Sequence, residues 1–177
     1  AVCGGIPIIE PLKRSLKSNQ IIKMAGIING TTNFILSKMS TEKAAFKESL
    51  ELAQKLGYAE LDPSADVEGQ DAADKISILT EIAFGGKIER NSIVTEGINE
   101  IQLKDIEFAK KLGFEIKLLA LSERNDNKYH KDSLPLNIWV GPTLIHENHP
   151  LAAVEGVNNA ILIEGDPIGE IMLYGPG

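Results

Sequence analysis

Four stretches in the second half of the chain decide its fold, and they are FEIKLLALSE (114–123), LPLNIWVGPTLI (134–145), NAILIEG (159–165) and IGEIMLYG (168–175). Each is rich in apolar or β-branched residues, several alternate apolar and polar positions, and turn residues separate them. No long helical segment lies between them, so antiparallel pairing is favoured. A fifth stretch, QIIKMAGII (20–28), has the same pattern near the start of the chain.

Three segments have the apolar period of amphipathic helices, namely 41–57, 65–86 and 103–113. Each ends at a glycine, which can adopt the left-handed conformation that terminates a helix. Thr41 and Asp66 are the predicted N-caps of the first two. Together with the strands, these segments predict an α+β fold with a mixed, largely antiparallel sheet and helices packed on one face. We expect this two-layer sandwich to occupy residues 1–177 as one domain.

Composition excludes several classes of protein. The chain has 177 residues, is 43% hydrophobic and 24% charged, and has no apolar run of transmembrane length, so we expect no membrane partner. Its net charge of −7 and the absence of a basic face argue against binding to nucleic acid. The single cysteine, Cys3, excludes an internal disulfide framework and fits a reducing compartment. Both ends of the sequence suggest a fragment of a longer protein.

Common catalytic motifs are not found in the sequence. No G-x-G-x-x-G dinucleotide motif, P-loop or G-x-S-x-G motif occurs. His130, His146 and His149 lack the spacing of zinc ligands, so surface histidines are the better interpretation. Cys3 has no evident base beside it and is better explained as a small buried residue than as a nucleophile.

The densest group of charged residues is GYAELDPSADVEGQDAADK (57–75). Within it, Asp71 and Lys75 are four residues apart on a predicted helix, and each precedes a residue of the buried stripe. The pair should therefore border the core. Such pairs are usually solvated and contribute roughly 0.2 to 0.5 kcal/mol, but a partly desolvated lysine could instead act in proton transfer.

A second unusual segment is GIINGTTNFIL (26–36), in which an apolar strand meets Asn29-Gly30-Thr31-Thr32-Asn33 and then becomes helical. Backbone N–H groups and hydroxyls at such a corner could bind a carboxylate or phosphate. A cluster of N-cap residues is an equally good interpretation on local grounds.

The pattern A-x3-G-Y-A-E-x-D-P-x2-D-V-x-G-x-D-x3-K at 53–75 resembles the signature segment of homoserine dehydrogenases. Segments 1–9, 26–36, 149–160 and 174–177 resemble other parts of that family in the same order. The resemblance covers essentially the whole chain. It implies an oxidoreductase that interconverts L-homoserine and L-aspartate 4-semialdehyde with NADP or NAD, on the route from aspartate to threonine and methionine.

The resemblance also implies roles for particular residues. Lys75 would be the proton donor and acceptor, and Asp71 would hold the reacting hydroxyl group. The remaining substrate-binding positions would be Glu60 for the ammonium group, Asp66 and Tyr58 for the pocket, and Gly30 and Thr31 for the other end of the amino acid. Cofactor contacts would come from Gly57, Gly175 and Gly177. Backbone carbonyls would bind a sodium ion at Val2, Gly4 and Ile6.

The family further implies a homodimer in the cytoplasm and an N-terminal Rossmann domain that binds most of the NAD(P). That domain is absent from these residues, so we expect the isolated chain to be inactive. Two alternatives stay open. One is an aspartate-semialdehyde dehydrogenase, which needs an activated cysteine, and the other is a non-catalytic dimerisation or amino-acid-sensing module of the same fold.

Overall fold

The computed structural model describes residues 2–125 and 136–177. Within these ranges six strands form one sheet in the order β2-β4-β3-β1-β5-β6. Their bounds are β1 Gln20–Ile27, β2 Val94–Thr95, β3 Phe114–Arg124, β4 Leu136–His146, β5 Asn158–Asp166 and β6 Gly169–Pro176. Only the short β2 is parallel to its neighbour, β4, and the other pairs are antiparallel. The predicted mixed, largely antiparallel sheet is confirmed.

Helices cover one face of this sheet, as expected. Their bounds are α1 Ile9–Lys13, α2 Gly30–Glu42, α3 Phe46–Lys55, α4 Ser64–Val67, α5 Gln70–Phe84 and α6 Leu103–Lys111. The larger apolar core joins these helices to side chains from one face of the strands. A second, smaller core on the opposite face contains strand residues and the 3₁₀ turn Pro150–Ala153. The α+β prediction, with helices on one face, is therefore confirmed.

The predicted N-cap Thr41 was wrong. Helix α2 begins at Gly30 and continues to Glu42, and the Thr41 hydroxyl donates to the Ser37 carbonyl one turn earlier at 2.8 Å. Helix α3 begins only at Phe46. Buried residues on α2 extend it past the point where the local cap signal would start a new helix, which illustrates how tertiary packing overrides propensity.

The predicted N-cap Asp66 was also wrong, because this residue lies inside the short α4. Helix α5 starts at Gln70 after Gly69, which has φ +80°, a conformation that favours glycine. The expected left-handed glycines Gly57 and Gly113 are confirmed, with φ of +78° and +79°. Gly85 likewise ends α5 with φ +79°.

Helix α5 carries the stripe that positions the charged pair. Ala72, Ile76 and Leu79 are buried in the larger core, as predicted, whereas Ala83 is only half-buried. Every described helix is too short or too polar to cross a membrane. The predicted exposed loop RNDNKYHKD (124–132) falls mostly outside the described residues.

Candidate functional site

A cavity of about 310 Å³ opens at the end of β1, where the strand passes into α2. Three further segments complete its wall, namely the loop after α3, the pair α4 and α5, and the strand end near the C-terminus. The lining residues are Asn29, Gly30, Thr31, Gly57, Tyr58, Asp66, Asp71, Lys75, Val157 and Gly177. The fold therefore brings together most of the residues that the sequence singled out, from segments far apart in the chain.

Lys75 and Asp71 form an ion pair in the wall of this cavity. The Lys75 Nζ lies 2.6 Å from Asp71 Oδ2, and their side chains are 21% and 32% exposed. The same ammonium group donates to the backbone carbonyl of Ile28 at 3.2 Å. The pair therefore borders the core, as its spacing predicted, and is not a freely solvated surface pair.

Asn29 connects this ion pair to a second carboxylate. Its Nδ2 donates to Asp66 Oδ1 at 2.6 Å and to Asp71 Oδ2 at 2.8 Å. Its Oδ1 accepts the N–H of Thr32 at 2.8 Å and so caps α2. The N-cap interpretation of segment 26–36 is confirmed, while anion binding at the same corner stays a prediction.

Thr31 and Gly30 shape the opposite side of the cavity. The Thr31 hydroxyl donates to the Tyr58 carbonyl at 2.6 Å, which ties the start of α2 to the loop after α3. A Cβ at Gly30 would lie 2.9 Å from the Val157 carbonyl oxygen, so only glycine fits there. Val157 was not predicted as a site residue, because an apolar side chain gives no chemical signal in the sequence.

Cys3 is a buried thiol on the core side of the site. Burial raises its pKa to about 11, and the positive charge of Lys75 opposes that shift. The thiol is therefore protonated near neutral pH, which agrees with the interpretation of Cys3 as a small buried residue. An activated cysteine, which an aspartate-semialdehyde dehydrogenase would need, is not provided by this position.

Comparison with known proteins shows which family has this arrangement. The sequence profile of the homoserine dehydrogenase family matches residues 7–177. The chain belongs to this family. It is 55% identical over 177 residues to the homoserine dehydrogenase of Synechocystis sp.. The match covers all of this chain but only 40% of that relative. It thus spans less than half the length of that protein.

Solved homoserine dehydrogenase structures have the same fold. The structure from Thiobacillus denitrificans superposes with a TM-score of 0.93 at 47% identity, over 100% of this chain and 39% of that one. A hyperthermophilic archaeal homoserine dehydrogenase mutant in complex with NADPH superposes with a TM-score of 0.80 at 33% identity, over 99% and 48% of the two chains. The sheet and its helices are therefore a shared framework of this family.

Glu60 is the family position that the structure does not bring to the cavity. It is exposed and is not among the lining residues, and its backbone carbonyl accepts a hydrogen bond from Gln54 Nε2 at 3.0 Å. Leu61 beside it is 97% exposed. Glu60 thus lies outside the cavity lining, and its contact with an ammonium group stays a prediction.

The three glycines predicted to contact the cofactor differ in their surroundings. A Cβ added at Gly57 would meet nothing within 4 Å, so open space faces this residue at the cavity mouth. At Gly177 a Cβ would lie 2.5 Å from the Val157 carbonyl oxygen, and at Gly175 it would lie 3.2 Å from Ile6 Cγ1. Packing within the chain accounts for Gly175 and Gly177, and the left-handed φ of +78° accounts for Gly57. Cofactor contact at all three glycines stays a prediction.

The N-terminal loop holds the residues predicted to bind sodium. A Cβ at Gly4 would lie 2.3 Å from the Gly177 carbonyl carbon, so this loop packs directly on the end of β6. The Ile6 carbonyl already accepts the N–H of Ile8 at 2.8 Å, which leaves it one lone pair for a cation. The sodium site at Val2, Gly4 and Ile6 stays a prediction.

Proposed function

We propose that this chain supplies the substrate site and the acid–base residues of an enzyme that interconverts L-homoserine and L-aspartate 4-semialdehyde. The observation that carries the proposal is the Lys75–Asp71 ion pair, at 2.6 Å, in the wall of a cavity of about 310 Å³. A small polar amino acid fits this lining, which combines carboxylates, an ammonium group, a hydroxyl and backbone polar groups.

Lys75 performs the proton transfer in this proposal. In the direction of reduction, its ammonium group donates a proton to the aldehyde oxygen of aspartate semialdehyde as negative charge develops there. In oxidation, the amine takes the hydroxyl proton of homoserine back by the reverse path. Asp71 holds Lys75 in place and accepts a hydrogen bond from the reacting hydroxyl group.

The rest of the lining would hold the amino-acid end of the substrate. Asp66 and Tyr58 lie beside the pair, and Gly30 and Thr31 provide a backbone N–H and a hydroxyl at the start of α2. We propose that Glu60 binds the substrate ammonium group only after the loop changes conformation and turns its carboxylate toward Tyr58. Asp66 is the carboxylate that already faces the cavity.

Bound NADP or NAD would accept the hydride from homoserine in oxidation. Its reduced form would donate the hydride to the aldehyde in the reverse direction. Gly57 offers open space for its approach, and three apolar residues within four positions of it in the sequence, Leu56, Tyr58 and Leu61, have exposed side chains. These apolar groups suit a surface that another domain covers. We therefore propose that an N-terminal Rossmann domain binds most of the cofactor and that residues 1–177, the substrate domain, are inactive without it.

The face of the sheet opposite the helices supports the proposed homodimer. A shallow cavity of about 410 Å³ lies on this face, lined in part by Leu119, Leu121 and Leu162. Tyr174 at the edge of the sheet is 57% exposed. An apolar hollow with an exposed aromatic side chain on the same sheet face is a surface that another protein subunit could cover. Met172→Glu on this face should weaken self-association, which sedimentation velocity would measure, without unfolding the chain.

The assay for the function is NADP reduction that depends on homoserine. It requires a protein that joins this chain to a nucleotide-binding domain, either its own or that of the Synechocystis relative. Lys75→Ala should lower turnover by roughly 100- to 10,000-fold, through loss of acid–base assistance. Lys47→Ala is the control, because Lys47 has the same four-residue spacing to an acid, Glu51, but its side chain is 88% exposed.

Two outcomes would overturn the proposal. Equal activity of Lys75→Ala and Lys47→Ala would remove Lys75 from the chemistry. Binding of homoserine without reduction of NADP or NAD would favour the alternative, a sensing or dimerisation module that keeps the pocket. We place the enzyme in the cytoplasm, in the synthesis of threonine and methionine from aspartate, as the family implies.

A further inference from the structure

Both polar atoms of the Asn29 side chain form hydrogen bonds, the oxygen with the first turn of α2 and the nitrogen with two carboxylates of the site. The residue is only 4% exposed. Its Oδ1 accepts the N–H of Thr32 at 2.8 Å and the Thr32 hydroxyl at 2.9 Å. Its Nδ2 donates to Asp66 Oδ1 at 2.6 Å and to Asp71 Oδ2 at 2.8 Å.

The partners fix the orientation of this amide. A backbone N–H can only donate, so the group that faces Thr32 must be the amide oxygen. The NH₂ group then faces the carboxylates of Asp66 and Asp71, and each of its two protons has one acceptor. A flipped amide would set an oxygen against two carboxylates and an NH₂ against an N–H, so it is excluded.

Two carboxylates held by one amide would normally repel each other, and such pairs tend to share a proton. Here Asp71 Oδ2 accepts from both Asn29 and Lys75, at 2.8 and 2.6 Å. The amide NH₂ group and the ammonium group lie between the two carboxylates and together offset this repulsion. The other titratable groups around this pair are Tyr58 in the cavity wall and the Cys3 thiol near Lys75.

We propose that Asn29 is a positioning residue that joins Asp66 and Asp71 into one hydrogen-bonded unit and so fixes the oxygen of Asp71 that Lys75 contacts. The proposal depends on the proposed function, since the unit matters for catalysis only if Lys75 transfers the proton. It assigns Asn29 a role beyond the helix cap. Capping alone could be performed by Ser, Thr or Asp, but none of these also supplies two donor protons.

Two substitutions separate the cap from the link between carboxylates. Asn29→Ser keeps an N-cap oxygen and removes the NH₂ group. Asn29→Asp keeps both the shape and the cap oxygen, but sets a third carboxylate against Asp66 and Asp71. The matched control is Asn33→Ser, because Asn33 is buried on the same helix and its Nδ2 donates to two backbone carbonyls, those of Val154 and Asn158, and to no carboxylate.

The measurements are kcat, KM for homoserine, the pH profile of kcat/KM and the melting temperature, in the protein that joins this chain to its nucleotide-binding domain. We expect Asn29→Asp to lower kcat/KM about 100-fold and to move the acidic limb of the profile to higher pH, because like charges raise a carboxyl pKa. Asn29→Ser should lower kcat/KM less and melt close to the parent. Asn29→Asp should melt lower at neutral pH, because a carboxyl pKa that is raised in the folded state reduces stability there. Asn33→Ser should alter the melting temperature and leave the pH profile in place.

The proposal would be overturned if both Asn29 variants kept the pH profile of the parent and lost activity only in proportion to their loss of stability. Asn29 would then be a helix cap and nothing more. Failure of the proposed function would be recognised by a different result, because the parent protein itself would then not oxidise homoserine. In that event, NMR titration of the ¹³C-labelled carboxyl groups still tests the link. The pKa of Asp66 or Asp71 must rise in Asn29→Asp, and two unmoved carboxyl titrations would refute the link.

Discussion

On each face of the sheet a lysine amine donates to a backbone carbonyl, but one lysine is half-buried beside a carboxylate and the other, in the described part of the chain, is buried without one. On the helix-covered face, Lys75 Nζ donates to the Ile28 carbonyl at 3.2 Å and pairs with Asp71 at 2.6 Å. On the opposite face, Lys117 on β3 is 3% exposed, and its Nζ donates to the Val154 carbonyl at 2.6 Å. Among the described residues, Lys117 has no carboxylate within ion-pair distance.

The difference shows what a carboxylate adds to a buried lysine. A carbonyl oxygen accepts a hydrogen bond but carries no net charge, so it cannot replace the water that an ammonium group loses. Burial accordingly lowers the pKa of Lys117, while the more distant charges of Glu115 and Glu155 oppose that shift. Lys75 has the ionised partner, the cavity and the access that proton transfer requires, and Lys117 has none of these.

The strongest test of this comparison removes the negative charge beside Lys75. Asp71→Asn keeps the size of the side chain and removes the charge that faces Lys75, so turnover should fall about 100-fold, the lower end of the range for lost acid–base assistance. Lys117→Met removes the other buried amine and should leave turnover unchanged. Steady-state homoserine oxidation measures both variants, and a larger loss in Lys117→Met would reverse the roles assigned to the two lysines.

A smaller effect is expected on stability. Lys117→Met replaces a buried ammonium group with an apolar chain of similar length, and the Val154 carbonyl retains its hydrogen bond from Asn33 Nδ2. Such replacements are often stabilising, so the melting temperature should rise by about 2 to 4 °C, the shift that 1 kcal/mol produces in a domain of this size.

The matched variant for that experiment is Lys117→Ala. It also removes the charge, but it leaves a cavity where the aliphatic stem packed, so it should melt below Lys117→Met. Calorimetry of the three proteins side by side distinguishes charge from packing. A fall in melting temperature in Lys117→Met would mean that the amine stabilises the loop around Val154 more than its desolvation costs.

The smallest effect is the dependence of that stability difference on pH. The pKa of Lys117 is lowered from its ordinary 10.5 in the folded state, so at low pH both states are protonated and the full cost of burial applies. Between the folded pKa and 10.5, the unfolded state binds more protons, and the parent gains stability as pH rises. The melting temperatures of the parent and Lys117→Met should therefore converge in the alkaline range, and a constant gap up to pH 10.5 would contradict this account.

Local patterns were sufficient for much of the fold. The five predicted strands and the helical stripe on α5 were confirmed, and left-handed glycines ended the helices at the expected points. The short β2 strand was missed because two residues, Val94–Thr95, are too few to establish a period. The caps at Thr41 and Asp66 failed for another reason, since both side chains have partners that propensity does not consider.

By itself, the sequence determined that Asp71 and Lys75 share one face of a helix, because a spacing of four residues brings side chains together in any α-helix. Only the tertiary structure decided that Asn29 would join Asp71 to Asp66. Its contacts with Asp66 and Asp71 span 37 and 42 residues, and the bond from Lys75 to Ile28 spans 47. Contacts at such separations depend on how the sheet and helices pack, and no local period records them. The same packing left Glu60 exposed and buried Lys117.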